Sequence, residues 1–216
     1  MFLILLLLTT LLSLGKSSTC SEMADSNIRS RVNDYMDNYH LIDPSSYACG
    51  NIETWNIQRV TNLNYMFQQR NMVNINLSNW DTSSVTTLQG TFYYATSFTG
   101  DGLSNWNTSR VTSLRGTFSD ATSFTGDGVS NWDTSSVTSL FQTFYGATSL
   151  TNCSKLSIYT SWDSQQSGIM EDYSSWASLN CYCAENEYVC FILILHHLTS
   201  RSKIHTRFYS FETDTF

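Results

Sequence analysis

Four tryptophans set the limits on how this chain can fold. Trp55, Trp80, Trp106 and Trp132 follow one another at intervals of 25, 26 and 26 residues. Phe67, Phe92, Phe118 and Phe144 keep the same intervals, as do Val60, Val85, Val111 and Val137, with Leu63, Leu88, Leu114 and Leu140 in step. Two units are nearly identical: WDTSSVTTLQGTFYYATSFTGDGLSN from Trp80 and WNTSRVTSLRGTFSDATSFTGDGVSN from Trp106. The unit from Trp55 is degenerate and one residue short, and the unit from Trp132 diverges after Leu150. A unit of this size cannot bury its own apolar face, so neighbours must stack into one continuous core.

Within a unit the apolar positions run Leu103, Trp106, Val111, Leu114, Phe118, Ala121 and Phe124. Leu103-x-x-Trp106-x-Thr108 has the form of a leucine-rich-repeat opening, whose short strand lines a concave face. From Val111 the spacing turns helical, Thr108-Ser109 supplies a cap, and Gly-Asp-Gly at 100–102 turns the chain back. The expected fold is a repeat solenoid with leucine-rich-repeat-like coils of short parallel β-strand plus helical turn. Open ends need caps. Ile28, Val32, Tyr35 and Met36 share a helical face at one end; Leu156, Tyr159 and Trp162, followed by Trp176 and Leu179, do so at the other.

The expected domains are a signal peptide at 1–18, an N-terminal capping region at 19–54, about four repeats over 55–151, a disulfide-bearing cap at 152–190 and a tail at 191–216. The apolar run at 2–14 has the length of a secretory core and is too short for a bilayer span. Cys20 and Cys49 precede the repeats, and Cys153, Cys181, Cys183 and Cys190 follow them. An even number in an exported chain reads as disulfides, one bridge at the first end and two at the second. The spacing of Cys181 and Cys183 does not suit zinc. Asn76, Asn107 and Asn152 head glycosylation sequons. Eighteen acids against eleven bases give a net charge of −7, which disfavours nucleic acid.

At this point the unit Trp-(Asp/Asn)-Thr-Ser-x-Val-Thr-x-Leu-x-x-Thr-Phe-x-x-Ala-Thr-Ser-Phe-x-Gly-Asp closely resembles the BspA-like surface-protein repeat over roughly residues 50–181. That leucine-rich-repeat-like family belongs to bacterial surface proteins and also occurs in unicellular eukaryotes. It often has Met where this chain has Leu88, Leu114, Thr91 and Thr117. The resemblance implies secretion or surface display and, for some members, adhesion; it implies no catalysis.

No serine sits in a nucleophile elbow, His40 is isolated, and His196, His197 and His205 lie in the tail. No catalytic residue, metal site or cofactor is expected. The best candidate site is a ladder of residues flanking the tryptophans: Asn79 and Asp81, Asn105 and Asn107, Asn131 and Asp133. On strands these would stack about 4.8 Å apart and suit sugars or repeating polymers. Asp101 and Asp127 offer too few oxygens for calcium, and Thr86, Thr112 and Thr138 lack the alternation of an ice-binding strand. The expected function is non-catalytic recognition or adhesion toward an extracellular protein or glycan, outside the cell or on its surface. The alternative is a structural wall or matrix spacer without one ligand. No transmembrane span is expected, and the oligomeric state is left open.

Overall fold

The computed structural model describes residues 23–38 and 49–181. The predicted leader, Cys20, His40, Cys183, Cys190 and the tail lie outside the described residues. The chain divides into two compact parts after Leu179, and the repeats belong to the first.

The repeats stack, but not as expected. Among the described residues there is no β-strand and no sheet: parallel pairing is confined to isolated bridges, Ala24 to Arg59, Asn62 to Thr87, Thr87 to Ser113 and Ser113 to Ser139. The leucine-rich-repeat solenoid of strand and helical turn is therefore wrong for this protein. Where the strand was expected, Leu103–Asn105 and Val129–Asn131 are single 3-10 turns, and only the following tryptophan is extended.

The expected helical turn is also absent, for a reason visible in the backbone. Tyr65 and Gln69, Gly90 and Tyr94, Gly116 and Asp120, and Gln142 and Gly146 all have positive φ. A left-handed residue at every fourth position cannot belong to a right-handed helix. Each segment is instead a chain of overlapping turns. Its amides alternate: Thr91 donates to Leu88 O within the coil, whereas Phe92 donates to Thr117 O in the next. Gly90 to Arg115 and Tyr94 to Ser119 extend this second set, and Leu114, Gly116, Phe118 and Asp120 repeat it one coil on. Every second amide is thus spent on a neighbouring coil.

The core is a pair of aromatic columns. Trp80, Trp106, Trp132 and Trp162 stack at 6.4, 6.1 and 6.3 Å between ring centroids. Phe67, Phe92, Phe118 and Phe144 stack at 5.5, 5.6 and 5.8 Å. These intervals lie within the range of favourable offset stacking and exceed the roughly 4.8 Å of paired strands, which a sheet-lined coil would have imposed. Each indole N–H is satisfied one coil back: Trp80 to Ile52 O, Trp106 to Leu77 O and Trp132 to Leu103 O, at 2.8 to 3.1 Å.

Both ends of the stack are closed by side chains that stand in for a missing coil. Helix α1, Ile28–Asn38, buries Ile28, Val32, Tyr35 and Met36. Just before it, Asp25 accepts from the amides of Thr61 and Asn62 at 2.8 and 3.0 Å, and Arg29 donates to the carbonyls of Asn64 and Tyr65. Helix α2, Asn152–Gln165, starts at Thr151, whose hydroxyl accepts from Ser154 N. It buries Ile158 and Trp162, with Leu156 and Tyr159 only partly covered. The Gln165 carboxamide accepts from Thr134 N and donates to Trp132 O. Beyond α2, the Tyr173 hydroxyl receives Phe144 N, the amide that would otherwise reach a further coil.

Candidate functional site

The six ladder residues are all exposed. Each flanks a buried tryptophan, extended at Trp106 and Trp132, where inward rings leave their neighbours pointing outward. The coils hold these residues in register, since Thr82 donates to Asn107 O and Thr108 to Asp133 O. Their chemistry divides by column. Asp81, Asn107 and Asp133 each turn one side-chain oxygen back onto the amide two residues on, at Ser83, Ser109 and Ser135. Hydrogen bonds from Ser83 and Ser135 hold the Asp81 and Asp133 carboxyls below the usual carboxylate range. That column therefore folds the chain with one oxygen and presents its remaining polar atom outward. In the other column, Asn105 reaches Ser78 O at 3.4 Å.

The threonine row at 86, 112 and 138 exists, but its hydroxyls serve the fold. Each donates, alongside its own amide, to the carbonyl of the threonine one coil back. A deeper row lies where the resemblance leads one to expect methionine. Thr91, Thr117 and Thr143 are buried, and each hydroxyl lies between two leucine carbonyls, one in its own coil and one in the coil before. The first coil keeps Met66 at this position.

Asp101 accepts from the Thr99 hydroxyl and is exposed, as is Asp127. Among the described residues no group of three or more His, Cys, Asp or Glu converges. The sequon residues Asn76, Asn107 and Asn152 are exposed. Cys49, Cys153 and Cys181 are disulfide-bonded.

A second outward face went unnoticed in the sequence. The chain of turns exposes Tyr65, Tyr94, Phe141 and Tyr145, with Tyr93 half-buried beside Tyr94, their rings edge to face at 4.6 Å. Gln89 donates to the Tyr65 hydroxyl, and the Arg115 guanidinium lies over Phe141 at 5.1 Å. The Asp120 carboxylate beside Tyr94 raises the pKa of that phenol. The signal was available: between the two near-identical units, the changes that most alter shape are Ser84 to Arg110, Gln89 to Arg115, Tyr93 to Ser119 and Tyr94 to Asp120. Three of these four lie on this face.

Residues 39–159 match the family described as "Mycoplasma protein of unknown function, DUF285". The chain belongs to this family. The DUF285 stretch takes in the phenylalanine column, the tryptophan column from Trp80 to Trp132 and most of α2, as well as both outward faces. No curated protein and no solved structure matches the chain. No helix among the described residues is long and apolar enough to cross a membrane.

Proposed function

We propose that this DUF285 chain is a secreted or cell-surface recognition module that binds an extracellular protein or glycan without catalysis. The observation that carries the reading is the division of labour in the coils. Inward and axial polar groups are consumed by the stack, whereas the outward amides and carboxylates beside the tryptophans recur in register from coil to coil. A rigid array of this kind loses little conformational entropy on binding an extended partner. The resemblance to BspA-like surface proteins supports the same reading. So do the bonded cysteines, since disulfides persist in oxidising compartments, and the apolar run at 2–14.

The test begins with localisation of the native protein and mass spectrometry of the purified chain. The expected result is an extracellular chain with oxidised cysteines and a mature N-terminus near residue 18. Saturable binding to extracellular proteins or glycans should follow. An intact, reduced, cytosolic chain overturns the proposal. An extracellular chain that binds nothing across such a screen replaces it with the spacer reading.

A further inference from the structure

The column Asn56, Asp81, Asn107 and Asp133 does one job with two residue types. Each side chain turns an oxygen onto the amide two residues on, at Gln58, Ser83, Ser109 and Ser135, at 3.0 to 3.1 Å. Asparagine and aspartate both close such a turn, so the fold does not choose between them. They differ in the atom left over. The Ser109 amide and hydroxyl both donate to Asn107 Oδ1, at 3.1 and 2.7 Å. Two donors cannot face the carboxamide NH2, so the oxygen is the atom turned inward. Nδ2 is the free end of an exposed residue, with no hydrogen-bond partner among the described residues.

Asn107 also heads the sequon Asn107-Thr108-Ser109, whereas Asn56 has Gln58 where the hydroxyl would stand. The other two sequons are built differently. Asn76 turns its oxygen onto Ser78 N in the same way, but the next coil lies against it: a Cβ on Gly102 would sit 2.6 Å from that oxygen. Asn152 is the first residue of α2. There Cys153 is disulfide-bonded, and the Ser154 hydroxyl is paired with Thr151. Around Asn107, by contrast, Asp81, Ser109, Arg110, Asp133 and Ser135 are all exposed.

We infer that Asn107 carries an N-linked glycan, attached at Nδ2 in the middle of the tryptophan-flanking ladder. The inference rests on the export part of the recognition reading above and goes beyond it by assigning a modified atom. The bond formed joins Nδ2 to the anomeric carbon of an oligosaccharide. The bond broken joins that carbon to the diphosphate of a lipid carrier, which leaves, and the carboxamide proton passes to a base of the transferase. Because the turn uses only Oδ1, the coil keeps its hydrogen bonds after modification. The Trp106 ring stands 6.4 and 6.1 Å from its neighbours in the stack. A glycan is bulkier than one such step, so it overhangs Asp81 and Asp133. A partner of the ladder meets sugar there before it meets the protein.

Glycopeptide mass spectrometry of the native chain, before and after peptide N-glycosidase in heavy-oxygen water, tests this. Trypsin leaves Asn76 and Asn107 together on the peptide 71–110, so chymotrypsin, which cuts at the aromatic residues between them, is used to separate the two. The peptide bearing Asn107 is expected to carry a hexose and N-acetylhexosamine mass, and the enzyme should convert that residue to a labelled aspartate. Asn107→Asp, which copies Asp81 and Asp133 and keeps the turn, should be exported and lack this mass. Ser109→Ala, which keeps the carboxamide but removes the sequon hydroxyl, should lose it too and serves if the first variant fails to fold. An extracellular chain with Asn107 bare, including one glycosylated solely at Asn76 or Asn152, overturns the inference and leaves the recognition reading standing. Glycan mass that persists at this site in Ser109→Ala also overturns it. A reduced, cytosolic chain overturns both.

Discussion

Trp162 sits on Trp132 as a further repeat tryptophan would. The rings lie 6.3 Å apart and 11° from parallel, and the Trp162 indole donates to Val129 O at 2.9 Å, as Trp132 donates to Leu103 O. Yet Trp162 belongs to helix α2, not to a coil. The stack is closed by a different backbone that delivers the same side chain to the same place.

Removing that ring should open the end of the stack. Trp162→Ala is expected to cost about 3–5 kcal/mol, the usual range for deleting a buried large aromatic. Trp162→Phe keeps a stacked ring but leaves Val129 O without its indole donor, and should cost less, about 1–3 kcal/mol. Urea unfolding of the two variants checks the order. Equal losses would mean that the stacked ring adds nothing beyond the indole hydrogen bond.

The buried threonine row should be worth less than its burial suggests. In Thr117→Val the carbonyls of Leu88 and Leu114 lose the hydroxyl but keep the amides of Thr91 and Thr117. No acceptor is orphaned, so the expected loss is about 1 kcal/mol, the net value of one hydrogen bond. A loss several times larger would show that these carbonyls depend on the hydroxyl.

Gly90 and Gly116 provide a matched pair. Both have positive φ, at 60° and 62°. A Cβ on Gly90 meets the Tyr65 ring, whereas one on Gly116 meets nothing within 4 Å. Gly116→Ala should cost about 1–2 kcal/mol from backbone strain alone. Gly90→Ala should cost at least as much and also displace Tyr65, read as a change in tyrosine fluorescence. In the Tyr65→Ala background the two glycine substitutions should cost the same.

Acid should loosen the first end of the stack through Asp25. Burial pushes its pKa up, but hydrogen bonds from the Thr61 hydroxyl and from the amides of Thr61 and Asn62 outweigh that, and the net shift is below 3.8. A group with a lowered folded pKa stabilises fully above its unfolded value, and that contribution is lost as pH falls through the folded one. Stability should therefore drop below about pH 4, and Asp25→Asn should flatten this part of the profile. Thermal unfolding between pH 2 and 6 measures both.

Much was legible before any fold was known. The period of the Trp, Val, Leu and Phe positions announced stacking, and all sixteen of those repeat residues are buried. The shared face of Ile28, Val32, Tyr35 and Met36 announced α1. The outward setting of the ladder asparagines and aspartates followed from inward tryptophans. Their use in local turns did not, because only the folded backbone shows which amide lies within reach of a side-chain oxygen.

The sequence by itself determined that the chain repeats, which residues make the core, and where the ends must be closed. These depend on composition and spacing alone, since apolar residues at a fixed period have to find one another. The conformation of each coil was decided only by tertiary structure. Spacings of three and four suit a helix and a chain of overlapping turns equally well, and tyrosine, glutamine or aspartate at a left-handed position gives no warning of it. What selects the turns is the neighbouring coil, which takes every second amide and so forbids the helix that would have kept them all. The same neighbour lays Tyr65 on Gly90.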